Sequence, residues 1–260
     1  MEQLLKCINQ FKAETAVPCI KLTAEIGKNI PITNSKVGGK PYLPKGFEYP
    51  TNKKGQPLNF LAQINFEEMP SLEHFPKGGI LQFYILGMEF QGKLSEISRV
   101  VYHEKISDQE QQEELPVFDE YELPFEPEFE FKLTGELSEN FIDLNDERFE
   151  TIFTAICEKN SFEFDDECED TAEMMRKHFA PNYYDFFKSS HLIGGYPRTP
   201  QGISSAPKDS HLLFQLDTQY DDNLQDFTIM WGDVGVGHFF ISLENLRNCR
   251  FDQVYYDWSC

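Results

Sequence analysis

His238, Asp233, Asp217 and Arg198 are the residues of this 260-residue sequence whose types lend themselves to chemistry. A histidine titrates near neutral pH and serves as acid or base, a carboxylate orients it, and a guanidinium holds an anionic group. Gln63, Gln215 and Trp231 join them as candidate walls of a ligand cleft, polar and aromatic groups that would orient a small molecule. The plainer alternative has the glutamines hydrogen-bonding their own sheet and Trp231 in the core. A second set is purely acidic. Asp165, Asp166, Glu167, Glu169 and Asp170 crowd into FDDECED, and Glu113, Glu114, Asp119 and Glu120 precede them in a charged, proline-containing stretch. Such a surface mimics a polyanion and suits capture of a cationic protein such as a nuclease or toxin, with complementary charge speeding encounter. Its plain reading is a solvated face.

Reaction signatures are missing from the sequence. No two of His74, His103, His178, His191, His211 and His238 have zinc-protease spacing, and no nucleophile elbow, phosphate loop or kinase signature occurs. FDDECED, and the group Asp143, Asp146 and Glu147, lack the alternating oxygen ligands and central glycine of a calcium loop. The segment WGDVGVGHFFISLENL sets Gly232, Gly235 and Gly237 ahead of an apolar run, which raises a phosphate-binding loop. That chemistry needs a helix directly after the glycines, and HFFISL reads as a strand, so turn or bulge glycines are expected instead. No metal or cofactor is assigned.

Net charge limits the partners. The chain carries −21 at pH 7, and 24 acidic against 4 basic residues between Glu104 and Asp170 account for −20 of it. Nucleic acids and anionic membranes are polyanions that such a surface repels, so neither is an expected partner and a basic protein is. No stretch approaches 18 apolar residues, the N-terminus has no signal-peptide core, and the six cysteines form no C-x-x-C pair. A cytoplasmic protein with reduced thiols is expected.

The elements that must position these residues fall into an ordered pattern. Leu4, Leu5, Ile8 and Phe11 give a short amphipathic helix, and Ile20, Leu22, Ala24 and Ile26 alternate as a strand. Strands are expected at 59–66, 79–86 and 99–104. The second half repeats the order. SKVGGKPYLPKG (35–46) is answered by SHLIGGYPRTPQG (190–202), LAQI by LFQL, GGILQFYI by VGVGHFFI, and VVYHE by VYYDW, which pairs Gln63 with Gln215. Between the repeats, EFEFKLTGEL (128–137) alternates as a strand, and 145–160 forms a helical face with Asn145 as its cap. Thr171 caps a further helix.

The fold class expected is α+β: two internally duplicated, mainly antiparallel β-rich lobes related by a pseudo-twofold, with an acidic strand/helix connector and a short N-terminal helix. The first lobe spans 1–105, the connector 106–188 and the second lobe 189–260, forming one integrated globular unit with the ligand cleft between facing loops of the lobes.

The repeated G-G-x-P-x-x-P-x-G, FLAQINF, WGDVGVGHFFI and the ending VYYDWSC, in this order, resemble the YwqG-like bacterial proteins, a domain of unknown function. The resemblance covers essentially the whole chain. It implies a cytoplasmic α+β protein of a bacterium and carries over no catalytic residue.

Overall fold

Alternation of apolar and polar side chains makes Val17–Ile26 a strand, β1, in which Ile20, Leu22 and Ala24 are buried while Lys21, Thr23 and Glu25 are exposed. A computed structural model describes residues 2–88, 97–107, 115–116, 122–143, 145–162, 190–201 and 206–260. Preceding β1 is helix α1 (Glu2–Thr15), whose buried residues Leu4, Cys7, Ile8 and Phe11 recur at helical spacing.

β1 pairs along its whole length with β6 (Glu130–Asn140), antiparallel, from Val17 opposite Asn140 to Ile26 opposite Phe131. Lys21 lies opposite Glu136 and Glu25 opposite Lys132, cross-strand charge pairs that favour this register. Outward from β6 run β2 (Lys36–Gly38), β3 (Asn59–Asn65), β4 (Ile80–Ile85) and β5 (Ser98–His103). Outward from β1 run β7 (His191–Gly194), β8 (Ser210–Asp217), β11 (Val236–Ser242) and β12 (Tyr255–Ser259). The ten strands form one antiparallel sheet, and β9 (Gln219–Asp221) with β10 (Asp226–Ile229) makes a separate two-stranded hairpin.

The sheet curls into a nearly closed barrel. Tyr102, on edge strand β5, meets Phe251 in the short 3-10 turn before the opposite edge strand β12, with ring centroids 5.2 Å apart. The inner face buries one cluster drawn from both halves of the sheet, and Phe83 of β4 packs 4.6 Å from Phe214 of β8 and 4.7 Å from Phe239 of β11. The space between the halves is therefore filled with aromatic side chains. A second cluster joins α1 to helix α2 (Phe149–Lys159), where Phe11 contacts Phe149 and Phe153 edge-on. A short helix, α3 (Leu243–Arg247), follows β11 and is capped by Ser242, whose Oγ accepts from Asn245 N.

The molecule is thus mostly antiparallel β-sheet with three helices among the described residues. Strands expected from the sequence at 59–66, 79–86 and 99–104 fall on β3, β4 and β5. Two expectations differ. Residues 130–140, taken as part of a connector, form a central strand with partners on both sides. Asn145 does not cap α2, which starts after Arg148 with no side-chain cap; Asp143 and Asp146 instead accept from Asn145 N and Arg148 N, turning the chain once more before the helix. No helix among the described residues is long and apolar enough to cross a membrane.

Candidate functional site

The two Gly/Pro blocks lie against the outer face of the sheet, and buried glutamines receive them. Gly38 and Gly39 (φ +69° and +67°) and Gly194 and Gly195 (φ +70° and +79°) take the left-handed conformation that turns each loop back over the sheet. In the first half, Gln63 of β3 is fully buried. Its Oε1 accepts from Tyr42 N at 2.9 Å, and its Nε2 donates to the carbonyls of Ile32 and Asn34, both at 2.8 Å. In the second half, Gln215 of β8 accepts from Arg198 N at 2.8 Å and donates to Ser190 O at 2.6 Å. Loop backbone that would be orphaned over a sheet face is satisfied by these amides.

Arg198 and Asp217 extend the arrangement into an ion pair. Arg198 Nε and Nη2 donate to Asp217 Oδ2 and Oδ1 at 3.1 and 2.9 Å, a two-pronged clamp, and Nη2 also reaches the carbonyls of Val234 and Gly235. Asp217 is 1% exposed and accepts further from Ser190 N and Thr218 N. Burial pushes its carboxyl above the usual carboxylate range, and the Arg198 guanidinium pulls back. The clamp ties the loop at 195–200 to the end of β8 and to the turn after β10.

His238 sits beneath this clamp, 3% exposed, with Nε2 3.1 Å from Gln215 Oε1. An amide oxygen only accepts, so His238 carries a proton on Nε2. Burial, reinforced by the nearby Arg198 charge, lowers its pKa to about 3. An imidazole held there does not titrate near neutral pH. The first half mirrors the contact through residues the sequence reading did not single out: Gln82 of β4 donates to Tyr42 O and accepts from His103 Nε2 at 3.0 Å, and burial lowers the His103 pKa to about 4. Their signal was the alignment of GGILQFYI with VGVGHFFI, which sets Gln82 against His238. His191 is also buried; its Nδ1 accepts from Asp217 N and its Nε2 reaches Gln219 Oε1.

The structure therefore brings Arg198, Gln215, Asp217 and His238 into one network and leaves Gln63 in the other half of the sheet. Trp231 is fully buried against Tyr256 and Trp258, and its indole Nε1 has no acceptor among the described residues. Asp233 is exposed in the turn between Trp231 and Gly235. The glycines of WGDVGVG also find their reason there. A Cβ on Gly237 would stand 2.4 Å from the Trp231 indole, and one on Gly235 would press into the Ser259 carbonyl. Close packing excludes side chains at these two positions; Gly235 closes the turn that begins at Trp231, and Gly237 lies within strand β11, the strand that the sequence predicts here.

Beside the network lies a cavity of about 220 Å³ where β1, β6 and β7 meet the Gly/Pro loop. Arg198 and Gln215 reach it, together with Lys21, Glu139, Asp143 and Tyr196. Both charge signs are present, and burial raises the Asp143 carboxyl above its ordinary range. Among the described residues no group of His, Cys, Asp and Glu converges to hold a metal ion. All nine acidic candidates, Glu113, Glu114, Asp119, Glu120, Asp165, Asp166, Glu167, Glu169 and Asp170, lie outside the described residues, as does Thr171.

The family described as a domain of unknown function, DUF1963, matches residues 35–260, which takes in β2 through β12. No curated protein matches the sequence.

Proposed function

The chain belongs to the DUF1963 family, a domain of unknown function, and from that premise we propose that it is a cytoplasmic bacterial binding protein whose acidic middle engages a basic protein partner. The observation that carries this reading is the segregation of charge: −20 of the net −21 falls between Glu104 and Asp170. A field of one sign over one segment attracts a cationic surface and speeds encounter. The interior supports the same reading. His103, His191 and His238 are hydrogen-bond partners of glutamines, and Asp217 is paired with Arg198, so these four groups are committed to the fold. Free Cys7, Cys19, Cys157, Cys249 and Cys260 suit a reducing compartment. The finer likeness to YwqG-like proteins rests on the Gly/Pro blocks and the WGDVGVG segment.

We also infer that the chain is a tandem duplication. The strand order runs β1, β7, β8, β11, β12 to one side of the centre and β6, β2, β3, β4, β5 to the other. KLTAE in β1 recurs as KLTGE in β6, and Gln63 and Gln215 do the same work for the two Gly/Pro loops. On this account each repeat opens with a central strand that pairs into the other repeat, β1 with β7 and β6 with β2.

The test is affinity capture from bacterial lysate at low salt. The intact protein is compared with one carrying Asp165→Asn, Asp166→Asn, Glu167→Gln, Glu169→Gln and Asp170→Asn. A basic protein held by the first and released by the second is the expected result, and equal retention by both overturns the reading. A second reading has its own observation, the 220 Å³ cavity lined by Lys21 and Arg198 against Glu139 and Asp143, whose mixed charge fits a small zwitterion. A thermal-shift screen of amino acids and related metabolites separates the two.

A further inference from the structure

We propose that the β9–β10 hairpin and the turn at its base form a docking surface for a basic partner segment in which apolar side chains alternate with Lys or Arg. The inference rests on the reading of the chain as a binder of basic proteins and gives that partner a place to dock.

Exposed apolar side chains locate the surface. Eight large apolar residues are exposed among those described, and five of them fall between 220 and 234: Tyr220, Leu224, Phe227, Met230 and Val234, each 38–53% exposed. Single exposed apolar residues need no explanation, whereas such a concentration marks a contact site. Architecture gives the reason they stay uncovered. The hairpin stands apart from the ten-stranded sheet, and Tyr220 and Phe227 are register partners whose rings meet edge-on at 5.2 Å. Ile229 and Thr228 bury the other side of the hairpin, and Gln219 reaches His191, so the element is anchored along one side and faces solvent on the other. An isolated two-stranded ribbon is marginal in water, and this anchoring holds the aromatic pair in place.

Charge identifies the occupant. Asp221, Asp222, Asp226 and Asp233 border the apolar residues, and no Lys or Arg occurs from Asp209 through Leu246. Asp221 and Asp226 each spend one oxygen on backbone N–H groups within the hairpin, and among the described residues the second oxygen of each accepts no hydrogen bond. A second copy docking face to face would bring two sets of four carboxylates together, which like-charge repulsion opposes. An anionic lipid surface meets the same repulsion. A segment carrying apolar anchors flanked by cations satisfies both features at once.

The experiment uses the full chain and two fluorescent peptide probes of equal positive charge, an amphipathic Leu/Lys peptide and an oligolysine, with binding read by anisotropy at low salt. Leu224→Ser with Phe227→Ser removes exposed apolar area. Asp222→Asn with Asp233→Asn removes charge alone and serves should the first pair disturb folding, which far-UV circular dichroism reports. The expected result is a loss of at least about tenfold in affinity for the Leu/Lys peptide in the apolar variant with oligolysine binding unchanged, and a weakening of both probes in the charge variant. Unchanged Leu/Lys binding in both variants overturns the docking surface while leaving the basic-partner reading standing. Failure of both probes to bind the intact protein overturns the two together. Sedimentation showing self-association of the intact protein that the apolar variant abolishes also overturns it, by making a second copy the occupant.

Discussion

Lowering the pH from 7 to 5.5 should weaken the fold through its buried histidines, and the size of the effect follows from their surroundings. His238 has an ordinary pKa of 6.5 lowered to about 3, and His103 one lowered to about 4. A group whose folded pKa is depressed below its unfolded value is protonated first in the unfolded chain. For a histidine the stability held by the neutral folded form is then complete above pH 6.5 and is lost as the pH falls toward the folded pKa. Each such histidine loses stability at ~1.4 kcal/mol per pH unit within that window, which integrates to about 1.2 kcal/mol between pH 7 and 5.5. The pair therefore removes roughly 2.5 kcal/mol, a large part of the stability of an ordinary domain. His191, also lowered by burial, adds to the loss in the same direction, because its Nδ1 must stop accepting from Asp217 N once protonated. Asp217 and Asp143, whose pKa values are raised, act in the opposite sense. Urea unfolding at a series of pH values above the isoelectric point of about 4.6 measures the change. His238→Gln provides the control, since Gln82 occupies the matching place on β4 and an amide can still donate to Gln215. The variant should lose about 1.2 kcal/mol less than the natural protein over that interval. Stability that is level or rising from pH 7 to 5.5, or equal slopes for protein and variant, would show that these histidines are not held neutral by the fold.

Other perturbations follow from single contacts. Arg198→Met strands the Asp217 carboxylate, 1% exposed, without its cation, and should cost about 3–5 kcal/mol in denaturant unfolding. Arg198→Lys should recover only part, because an ammonium cannot make the two-pronged contact. Gly38→Ala should cost about 1–3 kcal/mol, since φ is +69° and the added methyl would meet the Phe129 carbonyl at 2.6 Å. Gly55→Ala, with φ +79° but nothing within 4 Å, should cost less in the same assay. Cys249 is exposed and should react with a maleimide in the native state, while buried Cys7, Cys19 and Cys157 should react only on unfolding, as peptide mapping would show.

Much of the strand framework was legible because period-two patterning and Gly/Pro punctuation are local signals. GILQFYIL and HFFISL read as strands, and both are strands. The central place of β6 was not legible from EFEFKLTGEL, since alternation tells that a segment is a strand and says nothing of its partner. The missing clue was the recurrence of KLTAE as KLTGE, which the charge of the surrounding segment obscured. Of the site, Arg198, Gln215, Asp217 and His238 do converge, but their burial reverses the chemistry their types suggest. Burial depends on a loop folding over the outer face of the sheet, a nonlocal event that residue spacing does not encode. Trp231 and Gly237 belong to the same lesson, for the glycine is required by an indole six residues away in sequence and directly above it in the fold.

A basic protein drawn to the segregated acidity of this chain should form a complex whose affinity depends on salt. Affinity should fall steeply as salt rises from ~50 to ~300 mM, where screening shortens the reach of surface charge. Neutralising Asp165, Asp166, Glu167, Glu169 and Asp170 should flatten that dependence and weaken binding at the low-salt end. A complex whose affinity is indifferent both to salt and to those five substitutions would show that the acidic segment does not hold the partner.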